Sequence, residues 1–488
     1  MTYDITNLIV PIWVSCRTYK YGQKDSRTYI SNEKKHMYLQ LDGLASDMWY
    51  MLVEKYSSED FEKWAITNGV IEQVDEFIEQ LIEQGLILSN QNEVVYTTEV
   101  LRNESVDEWN GDEDNSFISD MQSWLIENNF LFSLFFELTY KCNLKCVHCY
   151  NPKDMSSVEI EFEKCKQIID EAYELGCFKM TFSGGEATLH SRFLEIIQYA
   201  RSKRISVEIF SNGQVLHKNS VLYKSLLQLY PYRVCVSLYS MQKDTHEKVT
   251  AVKGSFERTY QLIQQLRKDN VNVQIKNFLL NINCRDCIKV LEMAKDIKAS
   301  SVADLSLIPT IEGNKKTFEY MVGADELYAL YSNPDSPLYV GTDYKTYKLD
   351  EIQNDSLCLG GFTGLCISPA LDVNICVSMP MPVGNLKTES LTDIWQGAMS
   401  KDENNKLYQW QKVAIKDLKE CYKEEYCKFC NYCPGMGFLE NGYLKKSDVL
   451  CAQAKAKMKA YHQAKSNQCS SNELKRDIVP HTYTKNEI

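Results

Sequence analysis

One short stretch, residues 139–150, carries three cysteines and constrains this chain more than any other feature. Cys142, Cys146 and Cys149 are separated by three and then by two residues. Three thiolates on one loop can bind three corners of an iron–sulfur cube, which leaves the fourth iron open to another ligand. The alternative is a structural zinc site, but zinc requires four closed ligands, and His148 could reach the metal only awkwardly. The spacing therefore favours a cluster with an open iron.

Length and composition restrict the class of protein. A chain of 488 residues predicts two to four structural units. Lys and Arg number 54 against 66 Asp and Glu, and the net charge of −12 provides no global basic field for nucleic acid. The 18 cysteines, with no signal peptide and no apolar run near twenty residues, predict a cytoplasmic protein without a membrane span. In that compartment clustered thiols bind metal or act in redox chemistry before they form disulfides.

Residues 1–100 contain the pattern of a small winged-helix-like α+β domain. A strand at 38–41 precedes three helices and a closing strand at 86–88, and the third helix repeats its apolar residues at helical spacing from Val74 to Ile82. Winged helices often bind nucleic acid, but this helix is acidic, which argues against a phosphate backbone as partner. The acidic residues are Glu72, Asp75, Glu76, Glu79 and Glu83. Residues 101–125 are polar and acidic and predict a linker.

Strands and helices alternate through residues 126–340. The predicted strands are residues 132–138, 178–182, 206–210, 233–238, 271–280 and 304–308. Repeated βα units predict an α/β fold with a parallel sheet, open or closed as a barrel, whose working residues lie at the carboxyl ends of the strands. The three-cysteine stretch directly follows the first of these strands.

A turn after the second strand carries Gly184, Gly185 and Glu186. The two glycines let the strand end approach a ligand closely, and free carbonyls together with Glu186 can hold an ammonium group. Combined with the three thiols one βα unit earlier, this turn makes the chain resemble the radical S-adenosylmethionine (SAM) superfamily. The resemblance implies a partial (β/α)6 barrel.

The resemblance also implies chemistry and ligands. The three cysteines would hold a [4Fe–4S] cluster whose open iron binds the amino and carboxylate groups of SAM, and residues 184–186 would cradle the methionine amine. Reduction by an external low-potential donor such as a flavodoxin or ferredoxin would release a 5′-deoxyadenosyl radical that takes hydrogen from the substrate. His148 departs from the aromatic residue that the family usually has before the last cysteine.

Three single residues resemble further SAM contacts of the family, on the ribose and methionine sides of SAM. Ser211 and Asn212 follow the third strand, and Ser237 lies at the end of the fourth. Asn283 resembles a polar position near the end of the fifth strand. Ordinary loop chemistry explains each of them equally well.

Past residue 341 the alternation stops and eight cysteines return. They are Cys358, Cys366, Cys376, Cys421, Cys427, Cys430, Cys433 and Cys451. Eight thiols suffice for two fully ligated [4Fe–4S] clusters, although the x2 spacings at 427–433 would also suit zinc. The order of the spacings, with Gly384-Asn385-Leu386 and Pro434-Gly435, resembles the SPASM extension of radical SAM enzymes, here residues 341–455. Residues 456–488 predict a polar helix and a mobile tail.

The SPASM resemblance implies a partition of these ligands. One auxiliary cluster would take Cys358, Cys366, Cys376 and Cys433. The other would take Cys421, Cys427, Cys430 and Cys451. Two departures weaken the partition: Leu371 stands where the family has glycine, and the cysteine knot is spaced x5, x2, x2 rather than x2, x5, x3. The CxxC at 284–287 lacks partners, so chance is the better interpretation.

Residues 38–49 resemble leader-peptide recognition domains, which implies a sheet edge that binds an extended peptide as an added strand. A structural N-terminal cap is the alternative. Together the resemblances imply an enzyme that matures a ribosomally made precursor peptide with a leader. A thioether from a peptide cysteine to the carbon of a neighbouring residue is the favoured product. A carbon–carbon crosslink and a formylglycine-forming, sulfatase-maturating activity are the alternatives.

Overall fold

The computed structural model describes residues 3–21, 25–89, 114–152, 157–349 and 351–476. The chain folds as an α/β protein, as expected. A small N-terminal unit packs under a central parallel sheet, and a cysteine-rich C-terminal unit extends that sheet at one edge.

The N-terminal unit contains a three-stranded antiparallel sheet and three helices. Its elements are β1 (Leu8–Ile9), β2 (Val14–Tyr21), β3 (Asp25–Asn32), β4 (Met37–Asp42), α1 (Gly43–Val53), α2 (Ser58–Thr67), α3 (Val74–Glu83) and β5 (Leu88–Ser89). The sheet order is β2-β3-β4, and β1 pairs with β5. The sequence predicted β4 and the helices but missed β2 and β3, because buried Ser15, Thr28 and Ser31 interrupt their apolar pattern.

The central sheet follows a fourth helix, α4 (Asp114–Glu127). Its elements are β6 (Ser133–Thr139), α5 (Phe162–Glu174), β7 (Lys179–Gly184), α6 (Phe193–Ser202), β8 (Ser206–Ser211), α7 (Gln214–Lys218), α8 (Ser220–Gln228), β9 (Arg233–Ser237), α9 (Lys243–Thr250), α10 (Ser255–Lys268), β10 (Val273–Phe278), α11 (Cys287–Asp296), β11 (Ser300–Asp304) and α12 (Ala324–Ser332). Six parallel strands in the order β11-β10-β9-β8-β7-β6 confirm the (β/α)6 arrangement.

The position predicted for the sixth strand is wrong. The prediction was residues 304–308, whereas β11 spans Ser300–Asp304 and pairs with β10 from Gln274 to Phe278. The apolar run Leu305, Leu307 and Ile308 lies after the strand and is buried against other elements. These apolar residues belong to a loop that packs on the core, so they do not mark a strand. Strand β11 is a half-exposed edge strand with few apolar residues, and the sequence pattern therefore misses it.

The C-terminal unit continues the same sheet. Its elements are β12 (Gly364–Ile367), β13 (Asp372–Cys376), β14 (Met379–Asn385), α13 (Leu391–Met399), α14 (Lys406–Gln411), α15 (Pro434–Asn441) and α16 (Asp448–Arg476). Strand β12 pairs in parallel with β6, placing Cys366 opposite Phe135, and β13 and β14 add antiparallel strands. The described strands of barrel and extension thus form one nine-stranded sheet.

About half of the linker predicted for residues 101–125 lies outside the described residues, which resume at 114. From there the chain is the helix α4, whose Met121 and Leu125 are buried. They pack with Tyr19 of the N-terminal sheet and Phe178 of the barrel. The end of the predicted linker is therefore a packed helix between two units.

The N-terminal unit is joined to the barrel by a buried ion pair. Arg201 on α6 and Glu33 lie 3.6 Å apart, and both side chains are at most 1% exposed. Arg201 also donates to the Ser15 hydroxyl and the Ile12 carbonyl, and Ser15 and Ser31 donate to Glu33.

Within the described ranges no helix has the length and apolar character needed to cross a bilayer.

Candidate active site

The three-cysteine loop begins where β6 ends, at the carboxyl edge of the sheet. Cys142 is exposed, while Cys146 and Cys149 are half-buried. Burial raises the pKa of Cys146 to about 12, and the Cys149 and Cys142 thiols add to the shift. The three thiols therefore lie close enough to repel one another as thiolates, which is the electrostatic problem that bound iron would relieve.

The loop is held in place by backbone hydrogen bonds to the end of α9. The Lys145 amide donates to the Thr250 carbonyl at 3.0 Å, and the Val147 amide donates to the Val249 carbonyl at 2.9 Å. His148 stacks on Phe278 with ring centroids 4.9 Å apart and planes 7° apart. A flat ring thus fills the position that the family gives to an aromatic residue.

Gly184 and Gly185 are required by the close approach of β7 to the start of the loop. A Cβ atom on Gly184 would overlap the Thr139 carbonyl, and one on Gly185 would overlap the carbonyls of Tyr140 and Lys141. The Gly185 amide donates to the Thr139 carbonyl at 2.7 Å, and Gly184 has a φ of 129°. The two glycines seat the cysteine loop against the neighbouring strand end.

Glu186, which the sequence analysis predicts as a cofactor-binding residue, has several hydrogen-bond partners within the chain. Its carboxylate is buried and accepts hydrogen bonds from the Ser211 hydroxyl at 2.9 Å, the Asn212 amide at 2.7 Å and the hydroxyl of Thr188. Asn212 in turn donates to the Cys142 thiol at 3.7 Å. Glu186 therefore organises the Ser211–Asn212 turn beside the cysteine loop.

Ser237, the remaining predicted SAM contact, and Asn283 lie elsewhere at the same edge. Ser237 hydrogen-bonds the hydroxyl of Tyr239, which lies 4.0 Å from the Cys146 thiol. Asn283 is buried, and its amide donates to the carbonyls of Tyr239 and Phe278 while its oxygen accepts from the Leu280 amide. Asn283 supports a turn, which agrees with the ordinary-loop interpretation.

Four of the eight C-terminal cysteines gather beside the barrel. Burial raises the pKa of Cys376 to about 12, with Cys433 and Cys358 adding to the shift. Burial also raises the pKa of Cys366, and Glu137 and Cys376 add to that shift. Cys366 lies on β12, Cys376 ends β13, and Cys433 immediately precedes α15. These are the four residues predicted for one auxiliary cluster.

The other four cysteines gather at a second point. Cys421, Cys427, Cys430 and Cys451 line one small cavity. Burial raises the pKa of Cys430 to about 12, and the other three thiols add to the shift. Cys284 and Cys287 are both buried at the start of α11, apart from either group.

The donor sets suit iron–sulfur clusters, because groups of three, four and four soft thiols each lie together.

A cavity of about 650 Å³ lies between the N-terminal unit, the barrel and β12–β13. Tyr38 and Leu39 of β4 border it on one side, and Cys366 and Cys376 border it on the other. Its remaining wall is mostly aromatic and aliphatic. The cavity is wide enough for several side chains of an extended peptide.

Sequence reasoning missed two carboxylates inside the barrel. Glu208 on β8 receives hydrogen bonds from Arg233 at 2.6 Å and Thr181 at 3.0 Å, and Lys179 lies 3.5 Å away. Glu137 on β6 is 2% exposed and accepts a 3.1 Å hydrogen bond from the Tyr150 hydroxyl. Each interrupts an apolar strand at an inward position, and that interruption was the available signal.

Comparisons with known proteins agree with this geometry. Residues 136–292 match the Radical SAM superfamily, and residues 358–434 match SPASM, an iron–sulfur cluster-binding domain. The antilisterial bacteriocin subtilosin biosynthesis protein AlbA of Bacillus subtilis (strain 168) is 26% identical over 341 residues, which cover 66% of this chain and 70% of AlbA.

A second relative is the AdoMet-dependent heme synthase of Methanosarcina barkeri (strain Fusaro / DSM 804). It is 25% identical over 341 residues, which cover 64% of this chain and 94% of the synthase. Among solved structures, native anSMEcpe with bound AdoMet has a TM-score of 0.51 and 17% identity, covering 70% of this chain and 99% of that chain. That likeness is one of fold.

The barrel, the thiol loop at its carboxyl edge and the two matching domains define an enzyme that uses SAM and a [4Fe–4S] cluster. Residues 136–292 belong to the radical SAM superfamily, and residues 358–434 form a SPASM domain, which binds iron–sulfur clusters.

Proposed function

We propose that this enzyme matures a ribosomally made precursor peptide by installing a thioether between a peptide cysteine and the carbon of a neighbouring residue. The observation that carries the proposal is the cavity between β4 and the Cys366–Cys376 hairpin. It connects the edge of the N-terminal sheet with one group of auxiliary thiols. A peptide held at that edge could therefore extend toward iron.

The residues that would hold the cofactors follow from their grouping. Cys142, Cys146 and Cys149 would ligate the cluster that binds SAM, and the backbone at 184–186 would contact the methionine portion. Ser211, Asn212 and Ser237 would line the SAM site. Two auxiliary [4Fe–4S] clusters would use the two groups of four C-terminal cysteines.

When bound, the reduced cluster and SAM supply a carbon-centred radical that removes one hydrogen atom from the substrate. The chain's own residues position that event. Asn212 donates to Cys142, while Glu186 fixes the Asn212 amide, so the loop and the SAM-facing turn form one hydrogen-bonded unit. Because Cys142 is exposed, we infer that an external low-potential donor such as a flavodoxin or ferredoxin supplies the electron at this face.

Strand β4 supports a leader-binding role for the N-terminal unit. In the described sheet β4 pairs on one side with β3 and forms the edge. Its residues are half-buried up to Leu41, so the edge remains accessible. An extended leader can add there as a further strand through backbone hydrogen bonds.

The two relatives suggest different substrates. AlbA is named for bacteriocin biosynthesis, whereas the heme synthase acts in heme formation. The match to the heme synthase covers 64% of this chain and 94% of the synthase. About a third of this chain therefore has no counterpart in the synthase. A peptide-docking unit accounts for such additional length, which favours the peptide substrate.

The test is co-expression with a precursor peptide encoded beside this chain, followed by tandem mass spectrometry. A thioether removes two hydrogens and leaves that cysteine unreactive toward iodoacetamide. A loss of two hydrogens with the cysteine still alkylated indicates a carbon–carbon crosslink. Loss of the sulfur indicates formylglycine formation.

The control is the same precursor without its leader. We expect kcat/KM to fall by at least about tenfold, because docking at β4 raises the effective concentration of the core segment. An unmodified peptide together with a bound porphyrin substrate would contradict the proposal and favour the heme-type activity.

A further inference from the structure

Glu137 is a carboxylate inside the barrel that faces the space between two thiol groups. Leu134, Phe136 and Leu138 belong to the core between the strands and the helices, so the alternating side chains of β6 face the interior. Phe135, the preceding inward residue, packs edge-on against Phe210 at 5.6 Å. Glu137 is therefore directed into the same interior, where it is 2% exposed.

The environment of Glu137 differs from that of the other two interior carboxylates. Glu186 has its hydrogen-bonding capacity filled by neighbours, and Glu208 is neutralised by Arg233 and Lys179. Glu137 accepts the Tyr150 hydroxyl at 3.1 Å, and in the described part of the chain no cation forms an ion pair with it. It thus retains capacity to accept a proton from a molecule in the barrel.

Glu137 also lies between the two places where the proposed reaction needs iron. Its partner Tyr150 directly follows Cys149 of the SAM-cluster loop. On the other side, β12 pairs in parallel with β6 and sets Cys366 opposite Phe135, two residues before Glu137 on the same face of the strand.

Crosslinking requires a proton acceptor whatever bond is formed. The peptide loses two hydrogens, and the SAM-derived radical takes one of them as an atom. The second must leave as a proton together with one electron. A buried general base within reach of the substrate increases the rate of such a proton transfer by roughly 10²–10⁴-fold.

We propose that Glu137 is the base that accepts this proton, an inference that rests on the proposed function. For a thioether, the cysteine S–H bond breaks and its proton goes to Glu137. The thiolate then bonds to the carbon radical left by hydrogen-atom abstraction. The remaining electron would pass to an oxidised auxiliary [4Fe–4S] cluster, which Cys358, Cys366, Cys376 and Cys433 would hold, and this transfer balances the reaction.

The test compares Glu137→Gln and Glu137→Asp with the wild type at equal iron content. We expect Glu137→Gln to cleave SAM and to transfer deuterium from a labelled peptide into 5′-deoxyadenosine within about threefold of wild type. Crosslink formation should fall by roughly 100-fold or more, because the amide cannot accept the proton. Glu137→Asp keeps a carboxylate and should recover a measurable part of the crosslinking.

Peptide affinity, measured by fluorescence anisotropy, should be the same in all three proteins, which separates proton transfer from binding. If Glu137→Gln loses iron, Glu137→Asp is compared with the wild type instead. In that variant the rate of crosslinking should fall at least tenfold more than the rate of SAM cleavage does. Equal crosslinking by the wild type and the Gln variant overturns this inference alone, as does a parallel loss of SAM cleavage and crosslinking. A wild-type enzyme that leaves the peptide unmodified overturns the proposed function as well.

Discussion

Leu371 adopts a backbone conformation that glycine adopts more easily. Its φ is 70°, in the turn between β12 and β13, where its amide donates to the Ser368 carbonyl at 2.9 Å. This is the position where the sequence departs from the glycine expected in a SPASM domain. The departure therefore changes the residue but keeps the left-handed turn, at a conformational cost of about 1–2 kcal/mol.

Replacement of Leu371 by glycine and by alanine separates this cost from packing. Both substitutions remove the half-buried side chain, but only glycine removes the steric cost at positive φ. We expect Leu371→Gly to be more stable than Leu371→Ala by about 1 kcal/mol in urea unfolding. In ordinary extended or helical backbone, an alanine variant is more stable than a glycine variant. If Leu371→Ala proved more stable than Leu371→Gly, the result would contradict the left-handed turn.

At the scale of elements, the site depends on how closely two strand ends approach. The ends of β6 and β7 meet at Gly184 and Gly185, and the cysteine loop leaves from that junction. The alternation of strands and helices predicted both elements from the sequence. It could not predict that the Gly-Gly turn packs against the carbonyls of residues 139–141, because that contact joins segments about 45 residues apart.

Gly185→Ala tests this packing. The added methyl overlaps the carbonyls of Tyr140 and Lys141, so we expect the loop to shift and the first cluster to be lost. Anaerobically reconstituted protein should then lose about four of roughly twelve irons and should no longer cleave SAM. Gly313→Ala is the control, because its φ of 82° adds strain but a Cβ there meets no atom within 4 Å. Full iron content in Gly185→Ala would contradict the packing argument.

At the scale of the whole molecule, the N-terminal unit is fixed to the barrel by buried polar groups. The interface contains the Arg201–Glu33 pair and the hydroxyls of Ser15 and Ser31. The aromatic cluster around Tyr19 packs in the same interface. Deleting the N-terminal unit would remove Glu33 and also expose Arg201 together with the barrel surface that the unit covers. Point substitutions therefore test the interface more cleanly than truncation.

Arg201→Met leaves the Glu33 charge buried without a cation, which should lower the free energy of unfolding of the N-terminal unit by about 3–5 kcal/mol. The double variant Arg201→Met/Glu33→Gln should recover a large part of that loss. Lys348→Met, which breaks an exposed pair with Glu351, should change stability by less than about 0.5 kcal/mol. Urea unfolding monitored by tryptophan fluorescence provides the values. No difference between the single and double variants would show that the pair is not coupled.

The sequence by itself predicted the candidate site residues and most of the strand order of the barrel. The three cysteines, the Gly-Gly-Glu turn and the strand–helix alternation are local patterns, and short-range spacing fixes which side chains a strand end or loop presents. Tertiary structure decided the rest: the pairing of β12 with β6, the saturation of Glu186 and the interior position of Glu137. Each depends on contacts between segments distant in the chain, where burial and hydrogen-bond partners are set by packing and not by spacing.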